Sequence, residues 1–300
     1  MIERLHPSKT REAVTIVMIA FDQYSAFPGS VDTVLRETLH PIKLILIEGG
    51  APEHIRHELE KRNKKYKDIK IIYSAHRPRM AEAFNLALAH IRTTHVFLMH
   101  NNLRVTPGWL HTLMESAKHK NGIVCPYITH RAIDRASKAP SNYPITFSQT
   151  YIKEACEIDM HGFLAPAQLL QELGGFDESV STGLVGISLG YWLHMKGIPV
   201  HRDPYTVMHY RPPTSFKGAD LKLLKHQWGG SMAYPSMDHL KQKWDPRLDE
   251  EKYLEWLDQK RGPAPQKSTA PKFSGFEERS FEPPFPKLGF KKFIQVLHRA

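Results

Sequence analysis

At 300 residues, 41% of them hydrophobic and 10% aromatic, the chain is long enough to bury a sizeable core as one large domain or two ordinary ones. It carries 41 Lys and Arg against 31 Asp and Glu, a net charge of +10, which favours anionic partners such as nucleotide phosphates or an acidic membrane surface. Zinc-finger spacings, RNA-binding aromatic motifs and basic zippers are missing from the sequence, so no nucleic acid is expected as a partner.

Cys125 and Cys156 form no CxxC pair, which argues against a disulfide framework and a thiolate zinc site and for buried free thiols in a reducing compartment. The opening residues MIERLHPSKTREAV lack the apolar core of a signal peptide, and no run of eighteen apolar residues occurs. A cytoplasmic protein is the expectation.

In chain order, Val14 to Ala20 (VTIVMIA) is a β-branched run with the continuous hydrophobicity of a strand covered on both faces. A helix is predicted from about Pro28 through Leu39, with Val31, Val34, Leu35 and Leu39 at helical spacing. Lys43 to Ile47 is a second strand, broken by Glu48, Gly49 and Gly50, and Pro52 opens a helix whose charge run His57 to Lys67 reads as a solvated face. Ile69 to Tyr73 is a third strand, Met80 to Ile91 an alanine-rich helix and His95 to Met99 a fourth strand. This alternation implies a mostly parallel sheet with right-handed crossovers, an α/β fold of the Rossmann-like type. Neither GxGxxG nor GxxxxGK[ST] is present, so dinucleotide and P-loop sites lack their phosphate-cradling glycines.

The fourth strand runs into a polar triplet, His100, Asn101 and Asn102, before Pro107 opens a helix with Trp109 and Leu110. Ligands gather at the carboxyl ends of strands in open α/β sheets, so the triplet is expected to form a polar lip facing a pocket. The alternative is that it merely ends the strand, because Asn is a favoured turn residue.

Further on, Gly122 to Tyr127 is a strand, Ile128 to Tyr143 a polar basic loop, Tyr151 to Met160 a strand, and Ala165 to Leu173 a helix ended by Gly174 and Gly175. Leu189 to Met195 is helical, Val207 to Tyr210 is a strand, and Ala219 to Trp228 and Leu254 to Gln259 are helical. Arg261 to Lys287 holds six prolines and reads as a linker or extended arm. The last stretch places Phe290, Phe293, Ile294 and Leu297 on one helical side and Lys287, Lys291, Lys292 and Arg299 elsewhere. That pattern suits either peripheral contact with an anionic membrane or docking on the domain. The resulting division is a core domain over 1–210, a helical extension over 211–260, and a Pro-rich arm with a basic tail over 261–300.

The order VTIVMIAFDQY, LILIEGG, MAEAFNLAL, VFLMHNN followed by PGWL, LGGFDES, HMKGIPV and VMHY resembles the family 2 glycosyltransferases over roughly Val14 to Tyr210. These enzymes have the GT-A fold and move a sugar from a nucleotide-diphosphate donor to a saccharide or glycan acceptor. Lys243 and Trp244, then Glu277, Glu278, Pro283, Pro284 and Phe285, echo a family ending of KW, E and PF. The resemblance implies that Glu48 holds the nucleoside base, with Ala20 and Asp22 in the same pocket, and that Arg77 and Asn85 belong to the donor site. His100, Asn101 and Asn102 occupy the place of the Asp-x-Asp that binds metal and diphosphate.

Here the sequence departs from the family pattern. Two carboxylates are replaced by His100 and Asn102, and the acids that the family places near Val185, Gly186 and Ser188 are missing too. Trp192 replaces a basic residue. Mg²⁺ or Mn²⁺ normally neutralises the leaving diphosphate through hard oxygen ligands. Two replacements are open: a softer ion held by His100, Asn102 and His209, or cationic side chains among Arg77, Arg79, Arg131 and Arg211. Asp159, His161, Asp177 and Glu178 are the nearest candidates in sequence for the general base that an inverting transfer needs. An active transferase with a re-equipped donor site and a binding or scaffold protein without catalysis are the two functional readings.

Overall fold

The computed structural model describes residues 13–118, 120, 122–129, 158, 160–180, 182–211, 218–228, 239 and 242–243. Its eight-stranded sheet has the order β3-β2-β1-β4-β7-β6-β8-β5. The strands are β1 (Val14–Ile19), β2 (Ile42–Glu48), β3 (Ile69–Tyr73), β4 (His95–His100), β5 (Leu103–Arg104), β6 (Ile123–Thr129), β7 (Gly162–Pro166) and β8 (Val200–Tyr210). The helices are α1 (Phe27–Glu37), α2 (Glu53–Lys65), α3 (Met80–Leu88), α4 (Trp109–Lys118), α5 (Ala167–Glu172), α6 (Val185–Met195) and α7 (Gly218–Trp228).

The continuous apolar runs are explained by burial on both faces. Val14, Ile16 and Met18 of β1 join Phe27, Val31 and Val34 of α1 and Trp109 and Leu113 of α4 in one core layer. Val17 and Ile19 join Phe84 and Ala87 of α3 and Leu189 and Leu193 of α6 in the other. Strands β1 to β4 pair in parallel, with Ile19 level with both Ile47 and His100. Residues 20–24, 48–50 and 101–102 therefore emerge together at one carboxyl edge. Beyond β4 the sheet turns antiparallel through β7.

Several boundaries differ from the sequence reading. The first helix ends at Glu37 and leaves Leu39 85% exposed, because Pro41 disfavours helical backbone just before it. Strand β7 covers Ala165 and Pro166, which the sequence reading gave to a helix. The Gly and Pro that bracket this short run disguise it, and its identity comes from pairing with β4. Strand β8 extends over eleven residues rather than four. Arg202, Asp203 and Pro204 interrupt its apolar pattern, and Asp203 is buried by accepting the Tyr205 amide at 3.1 Å and the Thr206 hydroxyl at 2.5 Å.

Cys125 is buried and in no disulfide among the described residues. Cys156, the predicted strand before residue 158, most of the Ile128–Tyr143 loop, the Leu254–Gln259 helix, the Pro-rich arm and the basic tail lie outside the described residues. Among the described residues no helix is long and apolar enough to cross a membrane.

Candidate functional site

The polar triplet does not form an open lip. His100, Asn101 and Asn102 are 1%, 0% and 0% exposed, and their side chains tie the carboxyl edge together. Asn101 accepts the Phe21 amide at 3.1 Å and donates to the Gln23 carbonyl at 2.6 Å. Its own carbonyl accepts the Ser30 hydroxyl. Asn102 donates to an Asp22 carboxylate oxygen at 2.6 Å, which also accepts the Tyr210 hydroxyl at 2.8 Å. His100 stacks on Phe21 with centroids 3.7 Å apart and places Nε2 at 3.1 Å from the Met80 sulfur. The reason is chemical: Asn can satisfy the donor and the acceptor of a neighbouring loop at once, whereas a carboxylate only accepts.

Asp22 is 4% exposed, and both donors meet the same carboxylate oxygen. Burial first, and then the Asp22 charge, hold the Tyr210 phenol well above the usual tyrosine range, so Tyr210 remains a donor at all ordinary pH values. The ring of His161 lies 5.0 Å from that of Tyr210 and 5.3 Å from that of His100, completing the cluster.

The trio His100, Asn102 and His209 is not assembled as a ligand set. Side chains alternate along a strand, and Tyr210 is the β8 residue that reaches Asp22; His209, its neighbour, pairs in the ladders with Arg104 and Thr129. A hard divalent cation prefers several carboxylate or carbonyl oxygens, and the triplet's surroundings supply one carboxylate already bonded to two donors and one carbonyl oxygen, Asn102 Oδ1, that has no partner among the described residues. Among the described residues no three His, Cys, Asp or Glu gather as a potential metal site. This donor set does not fit Mg²⁺ or Mn²⁺.

The edge next to β2 is different in character. Glu48, 3% exposed, accepts the Ala51 amide at 2.8 Å and lies 3.3 Å from Arg56. A Cβ on Gly49 would lie 2.3 Å from Pro78 and 2.6 Å from the His76 carbonyl, so only glycine lets the loop after β3 cross here. That crossing brings Arg77 to Tyr24: its Nε donates to the phenol oxygen at 3.0 Å, while the phenol donates to the Gly49 carbonyl at 2.7 Å. The same loop ends at Met80 beside His100, so Arg77 and Arg79 are carried along the carboxyl ends of the parallel strands. Ala20 is half-buried at the end of β1.

Asn85 points the other way, into the turn that ends the GGFDE motif. Its amide donates to the Phe176 carbonyl at 2.9 Å and to Glu178 at 2.7 Å, and its oxygen accepts the Phe176 amide at 2.7 Å. A Cβ on Gly175 would come within 2.9 Å of that oxygen. Asn85→Ala is expected to cost about 2–3 kcal/mol, because it leaves two backbone groups without their partner; urea denaturation of the variant measures it. Asp177 in the same turn bonds Lys243 at 2.6 Å and His239 at 3.1 Å. Burial opposes its ionisation, but Lys243, Ser179 and His239 outweigh that and hold the carboxyl far below the usual range.

Positions 185, 186 and 188 are packed inside. Val185 and Ser188 are 2% and 5% exposed, and a Cβ on Gly186 would lie 2.4 Å from the Ile158 carbonyl. A cavity of about 90 Å³ opens beside them, lined by Arg79, Glu82, Glu178, Thr182 and Val185 among others.

Helix α7 closes over this edge. Asp220 accepts the Tyr24 amide at 2.7 Å, the Ser25 amide at 3.3 Å and the Ser25 hydroxyl at 2.7 Å. At its far end Gln227 donates to the Pro78 carbonyl at 3.3 Å and accepts from Thr182 at 3.2 Å. Tyr24, Tyr210, Asp220 and His226 all escaped the sequence reading. Alternation along β8 could have flagged Tyr210; nothing local could have placed Asp220 against a loop 195 residues away.

The family description "Glycosyl transferase family 2" matches residues 15–165. No curated protein matches the chain. Among solved structures, the mannosyltransferase PcManGT from Pyrobaculum calidifontis, in complex with GDP-Man and Mn²⁺, is 13% identical with a TM-score of 0.52, over 83% of this chain and 79% of that one. GalNAc-T7 with UDP, GalNAc and Mn²⁺ is 12% identical with a TM-score of 0.52, over 85% of this chain and 56% of that one. The chain thus spans little more than half the length of the second structure, and both likenesses are of fold.

Proposed function

Because the chain belongs to glycosyl transferase family 2 and has the GT-A fold, we propose that it takes a nucleotide-diphosphate sugar at the carboxyl edge bounded by Tyr24, Glu48, Arg77 and Arg79 and passes the sugar to a saccharide or glycan acceptor. In that transfer the bond from the anomeric carbon to the diphosphate breaks, and its electron pair leaves with the nucleotide. The acceptor hydroxyl oxygen bonds to the carbon, and its proton passes to a base or to solvent. The observation that supports this reading is the loop from His76 to Arg79, which crosses the strand ends at Gly49 and brings the Arg77 guanidinium to Tyr24. In this reading Glu48, held by Ala51 and Arg56, accepts from a base N–H.

A second reading, a donor-binding protein without transfer, is favoured by one specific observation. The positions where family acids are expected hold Val185, Gly186 and Ser188, all buried, and so supply no carboxylate to an acceptor. Incubating the pure protein with a panel of nucleotide sugars and following donor consumption, with and without Mn²⁺, separates the two. Consumption supports the transferase; binding without consumption supports the second reading; neither binding nor consumption removes both.

A further inference from the structure

The loop after β3 and the last turn of α7 bring three cationic or potentially cationic groups, Arg77, Arg79 and His226, to the amino end of α3. Arg77 is fixed on one side by Tyr24, and Arg79 lines the cavity on the other. Gln227, next to His226, is bonded to Pro78 between the two arginines. The carboxylates around the group are already engaged: Glu48 and Asp220 act on Tyr24, the partner of Arg77, and are bonded to Ala51 and to Tyr24 and Ser25, while Glu178, which lines the cavity with Arg79, accepts from Asn85. Glu82 is the one carboxylate acting on His226 from α3, and it already contacts His76 at 2.5 Å. The His226 Nε2 is buried and has no hydrogen-bond partner among the described residues.

Gathering like charges is unfavourable unless an anion bridges them, and two phosphate groups offer several strong acceptor oxygens for such forks. We propose that Arg77, Arg79 and His226 form a diphosphate clamp that holds the donor's leaving group without a divalent cation, with α7 as the strap that delivers His226. The clamp rests on the donor-binding reading above and deepens it. It involves no covalent step; its charges would neutralise the diphosphate as that group takes up the electron pair of the broken bond. It also accounts for the poor fit of the triplet to a metal, since Asn101, Asn102 and Asp22 are engaged in holding loops.

The clamp makes donor affinity depend on pH. Burial, then Arg79, then Arg77 push the His226 imidazole below the usual histidine range, against weaker opposition from the Arg77 backbone and Glu82. A diphosphate bound beside it favours the charged form, so binding takes up a proton and tightens as pH falls. The probes are GDP-mannose and UDP-glucose, whose phosphates are diesterified and lack the ionisation near pH 6 of a phosphate monoester.

Calorimetric titration of the full chain in EDTA is expected to show binding of one of them, about three- to tenfold tighter at pH 6 than at pH 8. His226→Gln is expected to flatten that pH dependence, and Arg79→Ala to weaken binding about tenfold or more at both pH values. Arg79 is half-buried, so its variant reads the clamp even if the His226 variant fails to fold. Binding that requires Mn²⁺, or that keeps its affinity and pH slope in both variants, overturns the clamp while leaving donor binding intact. No binding of either probe at any pH, with or without Mn²⁺, overturns the donor reading and the clamp with it.

Discussion

Asn102→Asp is expected to destabilise the protein by about 2–4 kcal/mol at pH 8, although it restores an acid that the family pattern calls for. The Asn102 nitrogen donates to Asp22 at 2.6 Å, in a site where both residues are almost fully buried. A carboxylate there would exchange a donor for a second negative charge against Asp22, with the Tyr210 hydroxyl already on the same oxygen. Like charges at that distance raise the pKa of one member of the pair. A group whose folded-state pKa is raised keeps its full contribution below the unfolded pKa and loses it as pH rises through the folded value. The deficit of the variant should therefore be largest at pH 8 and shrink toward pH 4–5. Urea denaturation of wild type and variant across that range measures it; equal deficits at both ends would contradict the assigned pairing.

The second large effect is expected at α6. Gly186→Glu should cost about 4 kcal/mol or more and give no gain in donor turnover. Any Cβ at this position meets the Ile158 carbonyl at 2.4 Å and Met160 at 3.1 Å, and the Ile158 amide bonds to the Gly186 carbonyl at 3.3 Å. The Glu variant adds a carboxylate to that crowding in a buried helix. Gly186→Ala, which adds the crowding alone, should cost about 1–3 kcal/mol. A comparison of the two by thermal or urea denaturation separates overpacking from buried charge, and a Glu variant as stable as wild type would show that the helix has room after all. The two substitutions make one point: the surroundings of the missing acids are packed around their replacements, so putting the acids back is not expected to restore a site.

The parallel half of the fold was legible because its strands are apolar on both faces. VTIVMI, LILI and HVFLM announce themselves by composition, and the register that levels Ile19 with Ile47 and His100 follows from their pairing. The antiparallel half was harder. GFLAP is too short and too bracketed by Gly and Pro to declare itself, and β8 conceals its length behind Asp203, whose burial depends on two hydrogen bonds made across its own turn.

At the site, the strand order brings Ala20, Asp22, Glu48 and the triplet to one carboxyl edge, and sequence order does not say which way they face. A strand-end Asn reads the same whether it contacts solvent or holds a neighbouring loop. Only the partners of Asn101, the Phe21 amide and the Gln23 carbonyl, distinguish the cases. Asn85 is similar: its place on α3 was evident, and its hold on Phe176, 91 residues on, was not. Long-range contacts of this kind, with those of Asp220, are set by the assembled fold rather than by local pattern.

The account's central claim is that the donor lies along Tyr24, Glu48, Arg77 and Arg79, while the buried triplet below it serves as framework. A crystal structure grown in chelator with GDP-mannose or UDP-glucose tests this most directly. It should show diphosphate density against the two arginines, with the Asn102 to Asp22 hydrogen bond unbroken. Density for the diphosphate on Asn102 and Asp22 instead, with those side chains swung out to receive it, would contradict the claim.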